Sequence, residues 1–138
     1  MYASGGTAYV YISYGLHHLF NVVTNEKNIP QAILIRAIEP AEGIDEMMKR
    51  RRMEKSHHTL SSGPGSMSVA LGIHVTDTGT DLLGNRIWIE DRGVKIPSKQ
   101  IQRTIRIGVH NAGKDAERKY RYIIKDNPWI TRSPFNRK

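Results

Sequence analysis

Two β-like segments lie so close together near the start of this sequence that they fit only an antiparallel hairpin. Tyr9–Ser13 is aromatic and β-branched, bounded by Gly5-Gly6 and Gly15, and Leu19–Thr24 is a second run of the same kind. Between them, Tyr14 to His18 leaves room for a short turn with Gly15 in it. Ala32–Ala37 is almost continuously apolar, as expected of a strand buried on both faces, with Arg36 as its single charge. Further strands are expected at Arg86–Glu90, Arg103–Val109 and Tyr120–Lys125, where apolar residues alternate. Helices are expected at Ala41–Lys55, with acids early and bases late to suit the helix dipole, and at Ser66–Leu71, with Gly72 as its stop. Strands outnumber helices and neighbour one another in sequence. The expected fold is therefore α+β: a single domain over residues 1–138 with a curved, mostly antiparallel β-sheet, a β-hairpin and a few flanking helices.

A chain of 138 residues can bury one sizeable core. It has no cysteine, which excludes disulfides, thiolate nucleophiles and Cys-based metal sites and suits a reducing, intracellular compartment. No apolar run approaches the roughly 20 residues of a membrane helix, and no signal-peptide pattern opens the chain. The net charge is +8. It is unevenly placed: Met1–Met48 holds two basic and five acidic residues, whereas Arg92–Lys138 holds thirteen and three. Such an excess favours an anionic partner, most often nucleic acid.

Tyr9 and Tyr11 share one face of a strand, and Tyr14 reaches the hairpin tip. Aromatic rings can hold an unpaired base, and an aromatic or apolar tip can wedge between base pairs, although strand tyrosines are more often plain packing. The neighbours His17-His18 point to opposite strand faces and have no third ligand nearby, so no metal is expected there, nor at His57-His58. Asn21 and Arg36 are polar residues within apolar strands, and a buried arginine needs an anion or a carbonyl. Gly63-Pro64-Gly65 leads into a helix N-terminus that could favour phosphate or could be only a turn. Arg103, Arg106, Lys114, Arg118, Lys119 and Arg121 are the candidates for phosphate contact.

Together these pieces resemble the alkyladenine (3-methyladenine) DNA glycosylase family. The resemblance runs through Gly6-Thr7-Ala8-Tyr9-Val10-Tyr11-Ile12-Ser13-Tyr14-Gly15-Leu16-His17, Asn21-Val22-Val23-Thr24 and Ile33-Leu34-Ile35-Arg36-Ala37-Ile38-Glu39-Pro40. It resumes at Ser62-Gly63-Pro64-Gly65, Ala70-Leu71-Gly72-Ile73, Arg106-Ile107-Gly108-Val109 and Asn127-Pro128-Trp129-Ile130. Each block alone is weak; the ordered set is specific.

The resemblance implies base-excision repair: a damaged purine in double-stranded DNA is flipped out and its N-glycosidic bond hydrolysed, by a monomer that needs no metal or organic cofactor. It implies that Tyr14 wedges into the minor groove, that Leu16 and His17 line the DNA, and that Tyr11 stacks on the flipped base. Asn21 would disfavour guanine, and Arg36 would help hold the water and its activating carboxylate. Arg106, Lys114, Arg118 and Lys119 remain the expected phosphate contacts. No membrane partner is expected, and the location would be cytoplasmic, at the nucleoid in a bacterium.

Two departures from the family pattern stand out. The family's general-base glutamate, a second stacking tyrosine and a pocket histidine belong to a segment before the Gly-Thr-x-Tyr-Val-Tyr block, where this sequence has five residues and no acid. Glu39 is expected to be structural. Ser66 stands where the family has a lysine. A start assigned at an internal methionine, a shortened gene product, and a family remnant that binds DNA without cutting are all compatible with this. Each leads to the expectation of a weakened pocket and an exposed sheet edge. Charge alone would also allow an RNA-binding accessory domain.

Overall fold

The computed structural model describes residues 1–131. Its first three strands, β1 (Ala8–Ser13), β2 (His17–Val23) and β3 (Ala32–Leu34), form an antiparallel sheet in that order. The hairpin between β1 and β2 closes through Leu16 N–H donating to the Ser13 carbonyl at 3.1 Å. Its two central residues, Tyr14 (φ 51°) and Gly15 (φ 68°), are both left-handed, as the primed hairpin turns require. Glycine adopts this backbone freely, whereas tyrosine does so at a cost.

The strands β4 (Ile101–Thr104) and β5 (Arg121–Ile124) pair antiparallel in a second, two-stranded sheet. The described strands thus form two sheets where one curved sheet was expected. Arg86–Glu90 is not a strand. The outer edge of β1 is already occupied: Ala8 N–H donates to Thr80 and Gly79 N–H to Ala8, so the segment has no edge to join. Its ladder reduces to a single bond, Ile89 N–H to the Leu82 carbonyl at 2.9 Å.

Two other strands stop early. β3 ends at Leu34 because Ile38 turns away to exchange bonds with Ser61, both through its backbone and through the Ser61 hydroxyl at 2.7 Å. It is also not buried on both faces, since Ile33 is 59% exposed. β4 ends at Thr104, and Arg106 swings instead toward the Asp115 carbonyl at 2.8 Å.

Helix α1 (Ile44–Arg51) carries Asp45 and Glu46 in its first turn and Lys49 to Arg51 in its last, the polarity the dipole favours. Helix α2 (Pro64–Leu71) has Pro64 in its opening turn, where a missing N–H costs nothing, and stops at left-handed Gly72. It carries Met67 and Ala70 inward. Met67 meets Ala8, Val10 and Phe20 of the hairpin strands, together with Ile73 and Leu82, to form the core. None of the described helices is long and apolar enough to cross a membrane.

Asp77 pins the segment beside β1. It is buried, accepts from His74 N–H at 2.8 Å, and meets Arg86 Nε at 2.9 Å. Burial pushes its carboxyl upward, but the hydrogen bonds from His74 and Arg86 outweigh this and hold it below the usual value. A carboxyl depressed in the folded state stabilises above its unfolded pKa and loses that contribution as pH falls through the folded one. The urea midpoint is therefore expected to drop as pH falls below about 4, and Asp77→Asn to flatten that acid limb in a pH series.

Candidate nucleic-acid interface

The hairpin, the segment after β3 and the start of α2 converge on one cavity of about 370 Å³. Tyr11, Tyr14, His17 and Leu19 come from the hairpin, Leu34 and Arg36 from β3 and beyond, and Gly63 to Ser66 from the opening of α2. Ile107, Gly108 and Val109 close another side. Four of the expected site residues and one motif are therefore brought together: Tyr11, Tyr14, His17 and Arg36, with the Gly-Pro-Gly turn.

Gly65 explains the close fit of hairpin against helix. A Cβ there would lie 2.9 Å from His17 Nδ1 and 3.1 Å from its Cγ, so the imidazole packs where a side chain would otherwise stand. Tyr9 and Tyr11 stack along β1 with ring centres 5.8 Å apart, leaving Tyr11 partly exposed toward the cavity. At the tip Tyr14 is 87% and Leu16 77% exposed. No packing among the described residues accounts for either.

Arg36 is the cavity's half-buried cation. One of its terminal nitrogens donates to the Ile107 carbonyl at 3.4 Å, and its Nε is buried with no partner. Burial lowers its pKa most, the nearby Tyr11 raises it, and the neighbouring Arg106 lowers it again. Arg106 is itself turned inward, with its Nε buried and unpartnered. Behind them Arg121 is buried, bonded to the Thr104 hydroxyl and the Thr131 carbonyl, each at 3.0 Å. Burial and then Arg36 lower its pKa. Three guanidinium groups thus cluster in the interior.

This changes the reading of the basic candidates. Arg121 is a bracket inside the fold and does not face a phosphate. Arg106 is half-buried and tied to the Asp115 carbonyl. Lys114, Arg118 and Lys119 are exposed. Arg118 pairs with Asp115 at 2.6 Å and bonds the Tyr120 hydroxyl at 2.7 Å, while Arg103 lies over the Tyr122 ring at 5.2 Å.

Asn21 is buried, 7% exposed, and does not line the cavity. Its amide nitrogen donates to the carbonyls of Tyr9 at 3.1 Å and Leu19 at 3.0 Å, fastening the two hairpin strands. Glu39 stands at another cavity, where its carboxylate accepts from Asn127 Nδ2 at 3.0 Å. His18 Nδ1 accepts from Val75 N–H, and among the described residues no three ligating side chains gather for a metal.

The sequence reading missed Ile107, Gly108 and Val109 as cavity walls. The available signal was their place in the family-like block after Arg106; the segment also turns at left-handed Gly108 (φ 73°).

An α+β domain with a strongly basic C-terminal third, an exposed aromatic hairpin tip and an arginine-floored cavity is of the class that handles nucleic acid. Residues 1–128 match the model of the methylpurine-DNA glycosylase family, and the chain belongs to that family. Its relatives include proteins of Alkaliphilus oremlandii (39% identical), Carboxydothermus hydrogenoformans (41%) and Francisella tularensis (42%), each named "Putative 3-methyladenine DNA glycosylase". Each comparison covers 96% of this chain and 67–68% of the relative. The family ties the chain to repair of methylated purines in DNA.

Proposed function

We propose that this chain, read as a single glycosylase-like domain, draws a damaged purine out of duplex DNA and takes part in hydrolysing its N-glycosidic bond. The observation that supports this most is the convergence of Tyr11, Tyr14, His17 and Arg36 on one cavity with room for a purine. Tyr14 wedges into the duplex from the minor groove and fills the vacated space, with Leu16 and His17 beside it. Tyr11 stacks on the extruded base. Alkylated purines that carry positive charge gain from an aromatic face, and a damaged base costs less to extrude than a well-paired one. Asn21 acts on base choice by fixing the strands beneath Tyr11. Lys114, Arg118 and Lys119 meet phosphates, and Arg106 does so less directly. Water oxygen bonds the sugar carbon as the bond to the base breaks, the bonding pair leaving with the base and the water's proton passing to solvent, with Arg36 orienting the attacking water. No metal or organic cofactor is invoked, and the acting unit is a monomer.

A second reading has its own support. The described residues lining the cavity include no carboxylate, and water attack without a positioned base forfeits about 10²–10⁴ in rate. That favours a protein which binds damaged DNA without cutting it.

The deciding experiment is release of hypoxanthine or 3-methyladenine from a damaged duplex by this chain beside Arg36→Ala. Release is expected, reduced by about 10²-fold or more in the variant. Tight, salt-sensitive binding without release would establish the second reading. Absence of both would overturn both.

A further inference from the structure

The outward face of the two-stranded sheet is aromatic and basic. Side chains alternate along β5, so that Arg121 is buried while Tyr122 is more than half exposed. Tyr120, two residues before Tyr122, is also more than half exposed. Arg103 of β4 stands opposite Tyr122 in the strand register, on the same face. Each ring has a guanidinium over it: Arg103 is 5.2 Å from the centre of Tyr122, and Arg118 is 5.6 Å from that of Tyr120. Arg118 also donates to the Tyr120 hydroxyl at 2.7 Å, which fixes the ring's position. Neither tyrosine belongs to the core cluster, and neither lines the hairpin cavity.

We infer that this face is a second nucleic-acid site, separate from the hairpin cavity, which holds an unpaired stretch of a DNA strand with bases stacked on Tyr120 and Tyr122 and phosphates met by Arg103 and Lys119. Bases stack on aromatic rings and on guanidinium planes alike, and the contact tolerates any sequence because every base has a π-face. In a duplex those base faces are covered by their neighbours, so rings standing on a sheet reach only bases that are unpaired. Two rings two residues apart on an extended chain offer successive places to such a strand. The charge suits a polyanion. Arg92–Lys138 carries thirteen basic residues against three acids, and one of those acids, Asp115, is already paired with Arg118 at 2.6 Å. Arg103 and Lys119 are exposed, and among the described residues neither is in an ion pair. An acidic peptide would satisfy the charges but leave the two rings without a use.

The inference does not depend on whether the chain cleaves DNA. It is tested on the whole chain with a fluorescent twelve-residue oligothymidylate, read by anisotropy at one fixed salt concentration. Replacing both rings, Tyr120→Leu with Tyr122→Leu, should weaken this binding about 30-fold or more. The same double variant should bind a duplex with one damaged purine as the unaltered chain does, whereas Tyr14→Asn should leave oligothymidylate binding unchanged. Tyr122→Phe keeps a stacking face and should bind the oligonucleotide almost normally. On the unaltered chain, ultraviolet crosslinking of an oligonucleotide carrying 5-bromodeoxyuridine should attach it to Tyr120 or Tyr122. Crosslinks confined to Tyr11 and Tyr14, oligothymidylate affinity untouched by the double variant, or equal losses for single strand and duplex would each overturn the inference. Tighter binding of polyglutamate or of oligouridylate than of oligothymidylate would do the same.

Discussion

Tyr14→Asn is expected to make the protein more stable and worse at binding damaged DNA. Tyr14 sits at φ 51°, left-handed, at the tip of the hairpin. An L-residue other than glycine, asparagine or aspartate pays about 1–2 kcal/mol for that backbone. Exposed at 87%, the ring recovers almost none of this through burial. Asparagine tolerates the conformation, so the unfolding free energy should rise by about 1 kcal/mol. A stacking aromatic contributes about 1–3 kcal/mol per base, so affinity for a duplex bearing one damaged purine should fall by about 5- to 150-fold. Urea titration and fluorescence anisotropy at one fixed salt concentration measure the two effects. If both quantities fell together, the tip would be supporting the fold and the wedge role would be lost.

Met67→Ala should be strongly destabilising. The side chain is fully buried and joins α2 to Ala8, Val10 and Phe20 of the hairpin and to Ile73 and Leu82. Removing it leaves a cavity and costs about 2–5 kcal/mol, a large share of the ~5–15 kcal/mol that holds a domain of this size together. Met67→Leu preserves volume and should cost less than about 1.5 kcal/mol. The same helix presents Gly63 to Ser66 to the hairpin cavity, so Met67→Ala should also weaken DNA binding near its thermal midpoint, where Met67→Leu does not. Thermal denaturation of the two variants, each with and without duplex, checks this.

What could be read from the sequence was what depends on neighbours in the chain. The hairpin follows from the short spacing between two β-like runs, and α1 and α2 follow from their charge order, Pro64 and Gly72. Strand ends were less legible because a strand needs a free edge as well as a pattern. Arg86–Glu90 alternates well, yet the edge of β1 beside it is already filled by Gly79 and Thr80. Ala32–Ala37 looks doubly buried because five of its six residues are apolar, but the contact that ends the strand, with Ser61, lies far along the chain. The cavity residues divide the same way. Tyr11, Tyr14, His17 and Arg36 announce themselves by type and place. Ile107 to Val109 are ordinary apolar and glycine residues whose role comes only from being folded against Arg36. Arg121 and Arg103 are indistinguishable by composition, yet β5 turns Arg121 inward while β4 leaves Arg103 over an exposed tyrosine.

Arg36 lines two cavities, one at the hairpin and one between residues 33–39 and β5, where Glu39 also stands. A single guanidinium shared by two compartments makes their occupancies thermodynamically linked. Whatever an anion in the second cavity does to the affinity of a base for the hairpin cavity, the base must do by the same factor to the affinity of the second cavity for that anion. The sign follows from charge. Neutralising Arg36 from behind removes a repulsion toward a cationic, alkylated purine while leaving a neutral lesion such as hypoxanthine nearly indifferent. Occupation of the second cavity by an anion would thus tilt which lesions the hairpin side prefers.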